Sequence, residues 1–182
     1  MEQGQGVPVD MRKATRLFDL AEAQGNVEAL TRKGGLYERG EGVTQDLSKA
    51  FEAYEKAANG GGAIAQRTVA EMLADGRGVD RDTKLAIYWY EKALANPNNH
   101  WQSDTFKRLA KIYANEKRFL DATRNFKKAV AKGDEEALLC LAEMYSEGQG
   151  VPRNMKLAFV LAKLAQRDPV FGAKALELNA KV

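Results

Sequence analysis

A glycine pair followed by valine recurs at a fixed interval along this chain, and a period of that length confines the fold to stacked copies of one short unit. Gly4-Gln5-Gly6-Val7, Gly40-Glu41-Gly42-Val43, Gly76-Arg77-Gly78-Val79 and Gly148-Gln149-Gly150-Val151 begin 36, 36 and 72 residues apart, the last gap being twice the period. Ten residues after each first glycine stands Ala14, Ala50, Ala86 or Ala158, and Ala122 keeps the phase where the glycine pair is skipped. A second alanine column runs through Ala21, Ala57, Ala93, Ala129 and Ala165. Between the columns lie Phe18, Tyr54, Tyr90 and Phe126, with Ala162 in the last copy. Small and aromatic residues at three-, four- and seven-residue spacing share one helical face, so each unit holds a helix there.

The ends of the helices are also marked. Asp10, Asp46, Asp82 and Asn154 stand at the same offset from each glycine pair, where a side-chain oxygen can accept from the unpaired amides of a starting helix. A set of catalytic carboxylates is the competing reading, and capping alone explains the even spacing. Another helix precedes each glycine pair, read from Ala65-Val69-Met72-Leu73 and Ala137-Leu141-Met144-Tyr145, with Ala29 and Tyr37 in register. Gly25, Gly61 and Gly133 close the helix before it, since glycine tolerates the left-handed conformation that ends helices. One unit differs: Asn96-Pro97-Asn98-Asn99 lengthens a turn, and a tight turn over Asn115 to Arg118 replaces the glycine loop. The phase survives, as stacked neighbours require.

Composition leaves little room for chemistry. Cys140 is the only cysteine and His100 the only histidine, which excludes an intramolecular disulfide and most zinc or triad constellations. Neither a cofactor nor a metal is expected, and the chain reads as non-enzymatic. A formal net charge of +3 gives no support to nucleic-acid binding. No apolar run reaches membrane-spanning length, and Met1 to Asp10 lack the pattern of a signal peptide. The compartment is left open between the cytoplasm and, for an excerpt of a longer parent, the periplasm. The Gly-x-Gly loops follow no strand and lack the Gly-Lys-Ser/Thr of a phosphate loop, so they are turns. His100 sits in a polar insertion beside Trp101. Trp89, Tyr88 and Tyr90 resemble a stacking platform for sugars or bases, although Tyr90 belongs to the core register.

These residues resemble the Sel-one-like repeat (SLR) family, a relative of the tetratricopeptide repeat. The resemblance covers nearly the whole chain. It is closest over Ala137 to Ala165 and over Ala65 to Leu94, including Trp89-Tyr90-Glu91-Lys92-Ala93, whereas Leu109 to Val130 looks more like the tetratricopeptide repeat. Lys33 at an expected leucine, Leu73 at an expected tyrosine and Ala162 at an expected aromatic are departures. The cysteine pair of some secreted members is missing. The resemblance implies an all-α, right-handed α/α superhelical solenoid. The expectation is a single repeat domain over 1–182, with units near 1–25 (partial, as if the chain were an excerpt), 26–61, 62–97, 98–133 and 134–168, then a capping helix at 169–182.

The resemblance further implies an adaptor or scaffold that binds another protein or peptide as a monomer or weak oligomer. In such families the first helix of each pair lines the concave side. Transferred by register, that face contains Glu28, Thr31 and Glu38, then Arg67, Glu71 and Asp75. Asp104, Lys107, Lys111 and Asn115 follow, then Glu136, Leu139, Glu143 and Glu147. Arg67, Lys107 and Lys111 would lie between acidic rows, a pattern able to orient a partner of complementary charge. A solvated face is the competing reading of the same residues. The alternative function is glycan or cell-wall binding through Trp101, Trp89 and the tyrosines.

Overall fold

The same short loop is built three times between helices of thirteen or fewer residues, and it sets the architecture. The computed structural model describes Leu20, Ala23 and residues 25–165. The expected loop at Gly4, the cap at Asp10, the core residues Ala14, Phe18 and Ala21, and the capping helix at 169–182 lie outside the described residues. Among those described, regular structure is wholly helical: α1 (Val27–Arg39), α2 (Leu47–Asn59), α3 (Ala63–Asp75), α4 (Thr83–Ala95), α5 (Gln102–Asn115), α6 (Phe119–Ala131), α7 (Glu135–Glu147) and α8 (Met155–Ala165). The chain divides into two compact units, the first ending at Asn96 and the second beginning at Pro97. In unit 1 each of α1 to α4 packs on the next, and in unit 2 each of α5 to α8 does the same. The all-α helical-repeat class expected from the period is what each unit shows.

Local chemistry explains the boundaries. Asp46, Asp82 and Asn154 accept the amides of Lys49, Leu85 and Leu157 at 2.9–3.0 Å, so these evenly spaced side chains are caps. Asn26 and Asp134 cap α1 and α7 in the same way. Gly40, Gly76 and Gly148 take φ near +70° and return their amides to Leu36, Met72 and Met144. Each loop then closes with the amide of Asp46, Asp82 or Asn154 on the carbonyl of Tyr37, Leu73 or Tyr145. That contact uses backbone only, which is why Leu73 serves where tyrosine was expected. In the altered unit Lys117 takes φ +58° in place of glycine, and Arg118 donates its amide to Tyr113 at 2.8 Å.

The second glycine of the loop has a separate role. A Cβ on Gly78 would stand 2.2 Å from the carbonyl oxygen of Leu47, and one on Gly150 would stand 2.2 Å from that of Phe119. These two loops therefore rest directly on the start of the second helix of the preceding pair, a closeness only glycine permits. Behind them the alanine columns are fully buried, from Ala50 and Ala57 through Ala158 and Ala165. Tyr54, Tyr90 and Phe126 fill the layers between, where small side chains let the helix axes approach.

Candidate functional site on the first helices

The first helices carry the charged surface, and burial decides which of its residues reach solvent. In unit 1, α3 presents Arg67 and Glu71 one turn apart, with Arg67 Nη1 2.5 Å from Glu71 Oε1. Asp75, a turn further, is exposed. On α1, Glu28 pairs with Arg32 at 2.7 Å and the Thr31 hydroxyl donates to the Val27 carbonyl. Glu38 faces inward: one carboxylate oxygen accepts the Tyr54 hydroxyl at 2.8 Å and the other lies 3.2 Å from Arg77 Nη1. Burial and this bond raise the Tyr54 hydroxyl well above the ordinary tyrosine range, so it stays protonated as a donor.

In unit 2 the charges close into a relay between α5 and α7. Lys107 Nζ lies 2.9 Å from Glu136, 3.1 Å from Asp134 and 3.5 Å from Asp104, and Lys111 takes the other oxygen of Glu136. Asp104 also holds Arg108 at 2.8 Å. Partial burial opposes charge on Lys107, yet its bonds to Glu136 and Asp134 prevail and raise its pKa. Burial likewise opposes ionisation of Glu136, and hydrogen bonds from Lys111 and Lys107 hold it below the usual carboxylate range. Asn115 is exposed, Glu143 is half-buried and Glu147 accepts from Gln149.

The expected row of cations is therefore compensated within each unit, Arg67 by Glu71, and Lys107 and Lys111 by Glu136. Leu139 departs from the expected surface altogether. It is 2% exposed and packs with Ala165, because an isobutyl group in this column gains more from the core than from water. Sequence reasoning missed the Glu38, Tyr54 and Arg77 cluster, whose members are up to 39 residues apart. It also missed the buried Gln66, which Asn96 reaches at 3.1 Å while donating to the Gly61 carbonyl at 2.9 Å. Asn96 opens the inserted turn, which was the available signal.

Little else offers chemistry. Among the described residues no cluster of His, Cys, Asp or Glu is arranged to hold a metal ion. His100 is exposed and edge-on to Trp101, and Cys140 is half-buried. Trp89 is 6% exposed, which removes one of the two indoles from a sugar-stacking platform, while Tyr88 and Trp101 remain exposed. No described helix is long and apolar enough to cross a membrane.

The Sel1 repeat profile matches residues 1–26, 27–62, 63–98 and 136–165, together more than half of the chain. Similar solved structures include a Sel1 repeat protein from Oxalobacter formigenes, 25% identical with a TM-score of 0.75 over 90% of this chain and 68% of that one. Another is c5321, a protective antigen of uropathogenic Escherichia coli strains displaying an SLR fold, 25% identical with a TM-score of 0.75. That alignment covers 98% of this chain and 43% of c5321, so this chain spans less than half its length. MamA, 19% identical with a TM-score of 0.61 over 97% of this chain and 99% of its own, shares the fold. No curated protein sequence matches.

Proposed function

Because this chain belongs to the Sel1 repeat family, whose members are generally protein-interaction scaffolds, we propose that it binds a partner protein or peptide on the surface of its first helices. The fold is typically that of a non-enzymatic scaffold, and the reading assigns no catalytic step. The observation that carries it is the relay of Lys107, Lys111 and Glu136. It ties α5 to α7 and holds alternating charges in place before any partner arrives, which lowers the ordering cost of binding. A surface of compensated charge selects a partner by pattern rather than by net attraction. In unit 2 the accessible readers are Lys111 and Asn115, and in unit 1 Asp75, with Arg67 and Glu71 supplying a partly buried pair.

The test is affinity capture from source-cell lysate and envelope fractions with wild type, Asn115→Arg and Asp75→Lys, after circular dichroism establishes equal helicity. Both substituted positions are exposed, so the variants perturb the surface and spare the core. Loss of the same protein from one or both variants supports the assignment. Capture of an identical set by all three overturns it.

A further inference from the structure

We infer that the second helices of unit 2 form a separate docking surface for an acidic amphipathic helix of a partner protein. The inference rests on the scaffold reading but not on the first-helix surface. Helices α6 and α8 bury the same columns, Ala122 with Ala158, Phe126 with Ala162 and Ala129 with Ala165. Equal register turns their remaining faces to the same side of the unit. The loop leading into α8 is seated on the start of α6 through Gly150 and through the Thr123 hydroxyl, 3.3 Å from the Gln149 carbonyl.

Two properties of this side set it apart. It leaves large apolar side chains in water, Leu120 at 63%, Val160 at 51% and Leu164 at 43% exposure, with Phe159, one period after the buried Thr123, at its edge. Val160 and Leu164 stand one turn apart on α8, and exposed apolar groups placed together mark an interaction site more often than a solvated surface. It is also almost free of carboxylates. Helix α8 has none, and the one on α6, Asp121, is engaged by Arg118 and Arg124. Lys127 and Lys163 lie over the rings of Tyr145 and Phe159 at 5.5 and 5.4 Å, and among the described residues neither meets a carboxylate. Both lysines are exposed.

The repeat itself supplies the control. At whole multiples of the 36-residue period, Arg124, Lys127 and Lys163 stand where unit 1 has Glu52, Glu55 and Glu91. With Lys49, Lys56, Lys84 and Lys92 beside those glutamates, the second helices carry both signs in unit 1 and a cationic excess in unit 2, so the fold does not require the change. An occupant must bring apolar groups and carboxylates together. A bilayer fits poorly, because Lys156 and Lys163 lie between Phe159 and Val160 around α8, and inserting those rings and methyls would draw the ammonium groups out of water. A helix with leucines along one stripe and glutamates on either side meets both demands.

The probe is a fluorescein-labelled peptide of about 18 residues with Leu at i, i+3, i+4 and i+7 and Glu flanking that stripe, read by fluorescence anisotropy against the full chain. A scrambled peptide of the same composition, phosphatidylglycerol vesicles and an oligo-dT strand are compared at matched salt. The expected result is preference for the ordered peptide. Lys127→Glu with Lys163→Glu should weaken it about tenfold. Val160→Ser with Leu164→Ser should weaken it independently of salt, and Asn115→Arg should leave it unchanged. Equal binding of the scrambled peptide, tighter binding of vesicles or oligo-dT, self-association of the chain that blocks the peptide, or absence of binding each overturns the inference. Loss on Asn115→Arg but not on Lys127→Glu and Lys163→Glu also overturns it, while leaving the first-helix reading in place.

Discussion

The Tyr54 hydroxyl donates a 2.8 Å hydrogen bond to Glu38 Oε2, and on the other oxygen of that carboxylate sits Arg77, from the loop of the next repeat. A core aromatic thereby orders the contact between successive repeats of unit 1. Tyr54→Phe keeps the ring and removes the donor to a charged, partly buried acceptor, a loss of about 2 kcal/mol. Gly34→Ala reaches the same contact from beneath, since its Cβ would lie 2.8 Å from Tyr54 Cδ1. Because both changes break one contact, the double variant should lose less than the two single losses added. Denaturant titration in a Trp101→Phe background, where Trp89 reports on unit 1, measures all three.

The two glycines of the loops at Gly76 and Gly148 should respond differently to the same substitution. Gly76→Ala meets only ordinary contacts, with Arg81 Cβ at 3.5 Å, and suffers the strain of φ +69°, about 1 kcal/mol. Gly78→Ala adds a carbonyl 2.2 Å away on backbone that cannot rotate aside, so it should cost several times as much and part the loop from α2. Gly148→Ala and Gly150→Ala repeat the contrast in unit 2. Equal losses within either pair, measured by thermal unfolding, would contradict the role given to the second glycine.

What was legible in the sequence follows from distance along the chain. Caps at Asp46, Asp82 and Asn154, the left-handed turns at Gly61 and Gly133, and the alanine columns depend on neighbours within about one helical turn, so spacing alone reveals them. The tight turn over Asn115 to Arg118 was legible for the same reason. Lys107 and Glu136 are different: they sit on separate helices, and register places both on the first-helix face without saying that one would grip the other. Register also put Leu139 at the surface, because its column holds Thr31 and Arg67 in unit 1. Side-chain chemistry was the better guide there, since the one apolar member of the column is the one that packs inward. The exchange of Glu52 and Glu55 for Arg124 and Lys127 was visible in the repeat, although only burial shows that those columns face water.

Asp134 separates two functions of one carboxylate. Oδ1 accepts the Ala137 amide at 3.0 Å as the cap of α7, and Oδ2 stands 3.1 Å from Lys107 Nζ. Asp134→Asn keeps the cap and gives up the ion pair, whereas Asp134→Ala gives up both. The alanine variant should be less stable than the asparagine variant by about 1 kcal/mol, the usual value of a cap. Amide exchange across Glu135 to Leu138 should quicken only in the alanine variant. Asp46→Ala, at a more exposed cap, should likewise quicken amide exchange in the first turn of α2.

The relay between α5 and α7 predicts a pH dependence of definite sign. Glu136 is held below its ordinary value of 4.5 by Lys111 and Lys107 against the effect of burial. Its contribution is therefore complete above that value and is lost as pH falls through the lower, folded-state value. Lys107 is held above its ordinary value of 10.5, so its contribution is complete below 10.5 and is lost only as pH rises beyond it. Between those limits the relay contributes a constant amount, below about 1 kcal/mol because Lys111 and Glu136 are partly solvated. Glu136→Gln should lower the melting temperature of unit 2 by a constant amount across neutral pH. The gap to wild type should then close in acid below 4.5 as wild-type Glu136 becomes protonated. High salt should narrow the neutral-pH gap as well, since the exposed side of the relay is screened. A gap that widens in acid would mean that another group, and not Glu136, supplies the charge that holds α5 to α7.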